Sequence, residues 1–150
     1  EERLKAARQC QLWGYPLGFH FDPIIYYPGW QEGYSDVIEL LFKYIRPEGI
    51  AWISLGSFRF MPPLKYQIKR RFPESKIIYG EFIDGLDGKK RYFKPIRIRM
   101  YSHLLRCIRK YAPDVLVYLC MELPDVWRGV FGFVPERGKL KQMLDDVFKK

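Results

Sequence analysis

The sequence predicts an α/β fold built from parallel strand–helix units, with one β-hairpin added. Three observations lead to this prediction. Apolar strand-like runs alternate with helical patterns along the chain. The runs IAWISL and VLVYLC are apolar throughout, which is typical of strands covered on both faces of a sheet. Asp-Gly occurs twice within the stretch DGLDG, and this is a strong signal for a tight turn.

The predicted elements cover most of the chain. The strand-like runs are residues 17–21, 50–55, 76–83 and 114–121. Helical spacing of apolar residues, together with prolines that a helix accepts in its first turn, predicts helices over 1–13, 30–45, 62–72, 98–112 and about 138–149. The length of 150 residues and the lack of a Pro/Gly-rich linker predict a single domain over 1–150.

Residues 76–96 interrupt the alternation of strands and helices. The apolar stretches KIIYGEFI and RYFKPI flank the polar turn sequence DGLDGKK. Two strand-like stretches separated by Asp-Gly turns are typical of a β-hairpin. We therefore predict a hairpin extension over about 76–96 that lies off the main core.

The charge of the chain is strongly unbalanced. It carries 26 Lys and Arg against 17 Asp and Glu, which leaves a formal net charge of +9. Such an excess favours a polyanionic partner, although a soluble, self-repelling surface is the other interpretation. Cysteines occur only at widely separated positions, which predicts reduced thiols in the cytoplasm and no metal site. No apolar run approaches the length of a membrane span.

One group of candidate functional residues follows the carboxyl ends of the predicted strands. Ligands of parallel β/α sheets gather at this edge. The residues that we expect to face a cofactor or substrate here are His20, Asp22, Tyr26 and Arg59. The alternatives are a capping carboxylate for Asp22, a salt bridge for Arg59, loop packing for Tyr26 and a core position for His20.

A second group lies in a basic segment between Lys89 and Lys110. This segment has nine Lys or Arg residues and no acid, with aromatic side chains interleaved. Nucleic-acid-binding sites combine cations, which neutralise phosphates, with aromatic rings, which stack on bases. The candidate DNA-binding residues are Lys89, Lys90, Arg91, Tyr92, Lys94 and Arg97. The alternative is a solvated helix face with an exposed turn.

Several stretches of the chain resemble the spore photoproduct lyase family of radical S-adenosylmethionine DNA-repair enzymes. The segment GYPLGFHFDPIIYYPGWQEGY carries the family's Gly-Phe, Pro-Ile and Gly-Trp-x-x-Gly-Tyr motifs. The stretches FRF, RRFPESK and GKKRYFK then follow in the family's order. The resemblance covers roughly residues 1–120. The family carries a small residue in many members where this chain has Asp22, so the nature of the substrate stays open.

The resemblance implies a fold and a set of partners. The chain is similar to the C-terminal half of a partial (β/α) TIM-like barrel. Arg91 and Tyr92 correspond to a hairpin pair inserted at a thymine-dimer lesion, while Lys90 and Lys94 would hold phosphates. The expected partners are DNA, the N-terminal half of the same protein and, through open sheet edges, a second copy of the chain.

The resemblance also implies cofactors that this stretch of sequence does not itself bind. The family holds a [4Fe-4S] cluster on a Cys-x3-Cys-x2-Cys motif and uses S-adenosylmethionine to start radical chemistry. That motif is absent here, so we expect the catalytic residues in the missing N-terminal half and no activity from this part alone. Two alternatives remain: a stand-alone nucleic-acid-binding module without catalysis, and a hydrolase that uses Asp22 and Glu122 as an acid/base pair.

Overall fold

The computed structural model describes residues 1–136 and 138–147. The helices are α1 (Glu2–Leu12), α2 (Trp30–Tyr44), α3 (Pro62–Arg71), α4 (Lys94–Tyr111), α5 (Pro124–Phe131) and α6 (Lys139–Asp146). The strands are β1 (Leu17–Ile24), β2 (Ile50–Ser57), β3 (Arg59–Phe60), β4 (Phe82–Asp84), β5 (Lys90–Tyr92) and β6 (Leu116–Leu119). A 3-10 turn, Pro47–Gly49, precedes β2.

The main sheet is parallel and has the strand order β1-β2-β6. Phe19 lies opposite Ile53, and Leu55 lies opposite Leu119, so the three carboxyl ends reach the same edge. The predicted α/β class with parallel strands is therefore confirmed. The described residues do not close this sheet into a barrel.

The core lies between one face of the parallel sheet and the helices α2 and α4. Ile38 of α2, Leu104 of α4 and Ile53 of β2 are completely inaccessible to solvent. Full burial of such a side chain stabilises the fold by roughly 1.5–3 kcal/mol. The apolar strands predicted from the sequence owe their burial to this packing, which fixes the sheet as the frame for the loops at its carboxyl edge.

A second, antiparallel sheet has the order β3-β5-β4. The predicted hairpin is present as β4 and β5, with Phe82 opposite Tyr92. The predicted strand over 76–83 is wrong before Phe82, because the chain turns there with Tyr79 N–H bonded to the Lys76 carbonyl. The hairpin is also less detached than predicted, since β5 pairs with β3 directly after β2.

Two helices differ from the sequence prediction. Helix α4 begins at Lys94, four residues before the predicted start at residue 98, because Pro95 sits in its first turn and does not end it. Helix α5 was not predicted, since its eight residues are too few to show a clear period. Helix α6 lies within the predicted span of about 138–149, of which residues 148 and 149 fall outside the described part of the chain.

Across residues 1–136 and 138–147, no helix combines the length and the apolar character needed to cross a membrane.

Candidate functional site

The carboxyl edge of the parallel sheet holds an ion pair between two of the predicted site residues. Arg59 donates from Nη1 to Oδ1 of Asp22 at 3.3 Å and from Nη2 to Oδ2 at 3.1 Å. The same Nη2 lies 3.7 Å from Sγ of Cys120. The ends of β1, β2 and β6 thus meet as predicted. Both charged side chains keep some solvent exposure, 17% for Arg59 and 24% for Asp22.

The electrostatics of this cluster keep the cation charged and the thiol neutral. Burial lowers the pKa of Arg59, but the hydrogen bond and charge of Asp22 outweigh it, so the pKa of Arg59 is raised. Burial raises the pKa of the Cys120 thiol, and the opposing charge of Arg59 does not reverse this shift. Cys120 is therefore a neutral thiol at pH 7 and lacks the thiolate that a nucleophile needs.

Local backbone sterics place the Asp22 carboxylate over β2. A Cβ atom added at Gly56 would lie 2.5 Å from Oδ2 of Asp22, so any larger residue would displace this carboxylate. The register between β1 and β2 is also irregular between Phe21 and Ile24. A break in the ladder next to a glycine lets the acid turn toward Arg59 at the end of the neighbouring strand.

His20 lies on the same face of β1 as Asp22, two residues along the strand. Its Nδ1 is 2.6 Å from Oγ of Ser54, which is buried in the adjacent strand β2. His20 itself is exposed, so it is not a core histidine. The face of the sheet opposite the helical layer therefore carries polar groups from both strands.

Glu122 follows β6 but does not join the pair of Asp22 and Arg59. Its Oε1 accepts a hydrogen bond from Tyr101 Oη at 2.7 Å and lies 3.6 Å from Nε of Arg97. The Glu122 and Arg97 side chains are each 3% exposed. Burial and the Glu122 charge both raise the pKa of Tyr101, which keeps its hydroxyl protonated. Because Glu122 is buried and paired, the structure does not support an acid/base pair with Asp22.

This network also corrects one predicted DNA-binding residue. The sequence predicts that Arg97 reaches phosphates, but it is 2% exposed and lies against Glu122. Tyr101 Oη accepts a hydrogen bond from Ser57 N–H at 2.7 Å, which links α4 to the end of β2. Arg97, Glu122 and Tyr101 therefore fix the position of the strand ends and do not offer a charge to a ligand.

The predicted hairpin wedge of Arg91 and Tyr92 is not exposed in this structure. Arg91 is 7% exposed, and its Nη2 donates to both carboxylate oxygens of Asp87 at 2.8 Å. Tyr92 is 1% exposed, and its ring lies 4.7 Å from that of Phe82. The reason is the central place of β5 in the second sheet, where β3 and β4 flank it.

The remaining predicted DNA-binding lysines are accessible but carry acidic partners. Lys89 lies 3.7 Å from Asp87, and Lys90 lies 2.8 Å from Asp84. Lys94 lies 3.5 Å from Asp125. Exposed pairs of this kind contribute about 0–1 kcal/mol, so a phosphate can replace the carboxylate. Their role in DNA binding stays a prediction.

The sequence interpretation missed a second basic surface, on helix α3. We call it the α3 cation set, and it comprises Lys65, Lys69, Arg70 and Arg71. All four side chains are exposed, and none takes part in an ion pair among residues 1–136 and 138–147. Tyr66, 67% exposed, lies among them. The stretch KYQIKRRF has four cations and no acid, which was the available signal.

Tyr26 lies beside α4 and not beside the Asp22 and Arg59 pair. Its hydroxyl accepts a hydrogen bond from Nη2 of Arg99 at 2.6 Å. The backbone N–H of Tyr26 donates to the Tyr92 hydroxyl at 3.1 Å. The loop after β1 is therefore tied to the second sheet and to α4.

The cysteines do not form a set that could hold an iron–sulfur cluster. Cys10 is on α1, Cys107 is buried on α4 and Cys120 follows β6, all as free thiols. In the part of the chain that the structure describes, no group of three or more His, Cys, Asp or Glu side chains is placed to bind a metal ion. The three thiols are therefore not placed to ligate one such cluster together.

Comparison with known sequences identifies the family. The sequence model of the family described as spore photoproduct lyase matches residues 1–99. The chain is 32% identical over 96 residues to the spore photoproduct lyase of a Geobacillus species and 33% identical over 97 residues to that of Bacillus subtilis. Each match covers 63% of this chain and 26% of the relative, so the chain spans about a quarter of the relatives' length.

Solved structures of the same enzyme are also similar to this chain. A cysteine-to-alanine mutant of spore photoproduct lyase has a TM-score of 0.70 at 27% identity. A complex of spore photoproduct lyase with dinucleoside spore photoproduct has a TM-score of 0.65 at 28% identity. Both matches cover 79% of this chain and 37% of the other. The sequence motifs, the parallel sheet and the match over two thirds of the residues agree, and the chain belongs to the spore photoproduct lyase family.

Proposed function

We propose that this chain is the substrate-facing, DNA-binding part of a radical S-adenosylmethionine lyase similar to spore photoproduct lyase. The observation that carries this proposal is the extent of the family match. Residues 1–99 include the carboxyl edge with Asp22 and Arg59, the α3 cation set and both strands of the hairpin. A solved relative binds dinucleoside spore photoproduct, which supports a DNA lesion as the ligand class.

In this proposal the carboxyl edge of the parallel sheet faces the lesion. Arg59 is held by Asp22 in two-point geometry, which fixes the guanidinium plane before a ligand arrives. Nη1 of Arg59 also donates to the Ser57 carbonyl at 3.3 Å. A preorganised, partly exposed cation of this kind suits a carbonyl or phosphate oxygen of a nucleotide. His20, on the same face as Asp22, adds a second polar group.

The DNA backbone would lie along the exposed cations. The α3 cation set has no acidic partners within the described residues, so its charge is available without breaking an ion pair. Helix α3 begins two residues after β3, which places its start close to the carboxyl edge. Lys89, Lys90 and Lys94 would add contacts after exchanging a carboxylate for a phosphate.

In this proposal, the radical chemistry belongs to the whole enzyme of which this chain is a part. One solved relative contains bound AdoMet, which supports that cofactor for the whole enzyme. Because the three cysteines lie at separate places in the fold, the cluster and the catalytic step would belong to the rest of that enzyme. The sheet edges of β1 and β6 that face away from β2 have no strand neighbour in the described residues. We propose that the N-terminal half of a cytoplasmic, TIM-like barrel pairs with these edges, or that a second copy does.

The α3 cation set also favours a second candidate function, a nucleic-acid-binding module without catalysis. The cations and the exposed tyrosine of α3 are sufficient for nucleic-acid binding that does not distinguish damaged from intact DNA. The two candidates differ in one property, which is discrimination between damaged and intact DNA.

The test titrates the chain with two duplexes of the same sequence, one of which contains a spore photoproduct. The proposed function predicts tighter binding of the damaged duplex, and Arg59→Ala removes that preference. Arg128→Ala is the matched control, because Arg128 is exposed on α5 and its ion-pair partner among the described residues is Asp125. Equal affinity for both duplexes overturns the lyase assignment and favours the module. Circular dichroism verifies that each variant is folded.

A further inference from the structure

A cavity of about 670 Å³ opens between the loop after β1 and the loop that precedes β4. It is separate from the Asp22 and Arg59 pair, neither of which lines it. The side chains that decide its chemistry are Tyr26, Trp30, Lys76, Tyr79, Glu81 and Arg99. Its size suits a ligand of the size of a nucleotide.

The aromatic wall of the cavity is held in place by hydrogen bonds. The Tyr26 ring lies 6.0 Å from that of Trp30 and 6.1 Å from that of Tyr92. Ile25 N–H donates to the Tyr34 hydroxyl at 2.7 Å, and Tyr26 N–H donates to the Tyr92 hydroxyl. Two tyrosine hydroxyls thus anchor consecutive residues of the loop. A planar ligand would meet a wall that is already formed, which reduces the entropy cost of binding.

Within the part of the chain that the structure describes, the cations of the cavity lack carboxylate partners. The Arg99 guanidinium carbon lies 5.4 Å from the centre of the Tyr26 ring, and Nη2 of Arg99 donates a hydrogen bond to the Tyr26 hydroxyl. Neither Arg99 nor Lys76 takes part in an ion pair within residues 1–136 and 138–147. Arg91 and Arg97, by contrast, each face an acid. An anion at Arg99 would therefore not have to displace a charged neighbour.

Among the described residues, Glu81 is the one carboxylate that lines the cavity. Its negative charge makes the cavity unsuited to a ligand that is only an anion. The Glu81 carboxylate can, however, accept a hydrogen bond from a ring N–H or an exocyclic amine of a base. The combination of aromatic rings, two cations and one acceptor fits a ligand with a flat heterocycle and a phosphate. We infer that this cavity binds one nucleotide, with its base against the Tyr26 and Tyr79 rings and its phosphate at Arg99 and Lys76.

The nucleotide can come from two sources, a free mononucleotide or one unit of a DNA strand. Only the choice of a strand as the source rests on the proposed function. The test therefore titrates the chain with thymidine 5′-monophosphate, with thymidine and with a short single-stranded oligothymidylate, using calorimetry. We expect saturable binding of the monophosphate, and binding of thymidine that is about tenfold weaker, because it lacks the charged phosphate. Tighter binding of the oligonucleotide identifies a strand as the source.

Matched variants distinguish binding inside the cavity from non-specific electrostatic attraction to the basic surface of the chain. Arg99→Ala weakens monophosphate binding about tenfold, whereas Arg106→Ala, which removes another exposed cation of α4 outside the cavity, changes it less than about twofold. Tyr79→Ala weakens thymidine binding, and Tyr66→Ala does not. Equal loss from Arg99→Ala and Arg106→Ala, or no saturable binding by the unmodified chain, overturns the inference. Discrimination between damaged and intact duplex is measured separately, so either proposal can fail while the other stands.

Discussion

The hairpin region and helix α3 are both rich in Lys and Arg, but they use these residues differently. Around the hairpin, Lys89, Lys90 and Arg91 each lie within 4 Å of an aspartate. On α3, the four cations of the α3 cation set lie in no ion pair of the described residues. The first region uses its charge to hold a small sheet together, whereas the second leaves it available to a partner.

The difference shows that a count of basic residues is not a measure of charge that a ligand can use. The stretch from Lys89 to Lys110 contains no acid, yet the chain brings Asp84, Asp87 and Glu122 to it from outside. Only Asp84 and Asp87 are close enough in sequence to have suggested this pairing. Availability therefore depends on tertiary contacts that the charge pattern does not record.

The largest expected effect comes from removing a buried, paired cation. Arg97→Ala leaves the Glu122 carboxylate buried without its cation, which lowers the free energy of unfolding by about 3–5 kcal/mol. Urea denaturation followed by circular dichroism measures the change. Arg70→Ala, on the exposed surface of α3, is the control and leaves the urea midpoint unchanged. A loss below about 1 kcal/mol for Arg97→Ala would show that the pair is not structural.

An intermediate effect concerns the thiol beside the paired cation Arg59. Since burial raises the pKa of Cys120 above its usual value near 9, alkylation of this thiol should reach half its maximal rate only at a higher pH. The same shift makes the free energy of unfolding depend on pH, because the Cys120 thiol ionises at a lower pH in the unfolded chain than in the folded chain. The contribution of Cys120 is therefore present below pH 9 and falls as the pH rises above it.

Mass spectrometry of the alkylated peptides distinguishes Cys120 from Cys10 and Cys107. Arg59→Ala removes the nearest positive charge and should move the half-maximal pH of Cys120 further upward. A half-maximal pH below 9 in the unmodified chain would mean that the charge of Arg59 outweighs burial, which contradicts the raised pKa of this thiol.

The smallest effect is expected where a pair is exposed. The Lys94 and Asp125 side chains are 49% and 65% exposed, so solvent screens their attraction. Lys94→Gln should change the free energy of unfolding by less than about 0.5 kcal/mol, as measured by thermal denaturation. A change as large as that of Arg97→Ala would remove the distinction between buried and exposed pairs.

The sequence was sufficient for the parallel sheet and for the meeting of its strand ends. Apolar runs set the strands, and the carboxyl-edge rule placed Asp22 near Arg59. Burial of Arg91 and Tyr92 could not be predicted, because it depends on β5 being flanked on one side by β4 and on the other by the two-residue strand β3. A strand that short has no periodicity of its own.

The candidate site was predicted only in part for the same physical reason. His20 and Tyr26 each form a hydrogen bond to a residue more than thirty positions away, Ser54 and Arg99 respectively. Such contacts depend on how the sheet packs and not on local spacing. The α3 cation set, in contrast, was visible in the sequence as four cations without an acid in KYQIKRRF. Its prediction would have required only the further assumption that helix α3 is exposed.

The salt dependence of DNA binding tests the contrast between α3 and the hairpin most directly. Two variants remove three cations each: Lys65→Gln, Lys69→Gln and Arg70→Gln on α3, or Lys89→Gln, Lys90→Gln and Lys94→Gln around the hairpin. The slope of log K against log salt should shrink by about one for each lost phosphate contact. We expect a large decrease for the α3 variant and a small one for the hairpin variant. An unchanged slope for the α3 variant, with a large decrease for the hairpin variant, would contradict the assignment of available charge to α3.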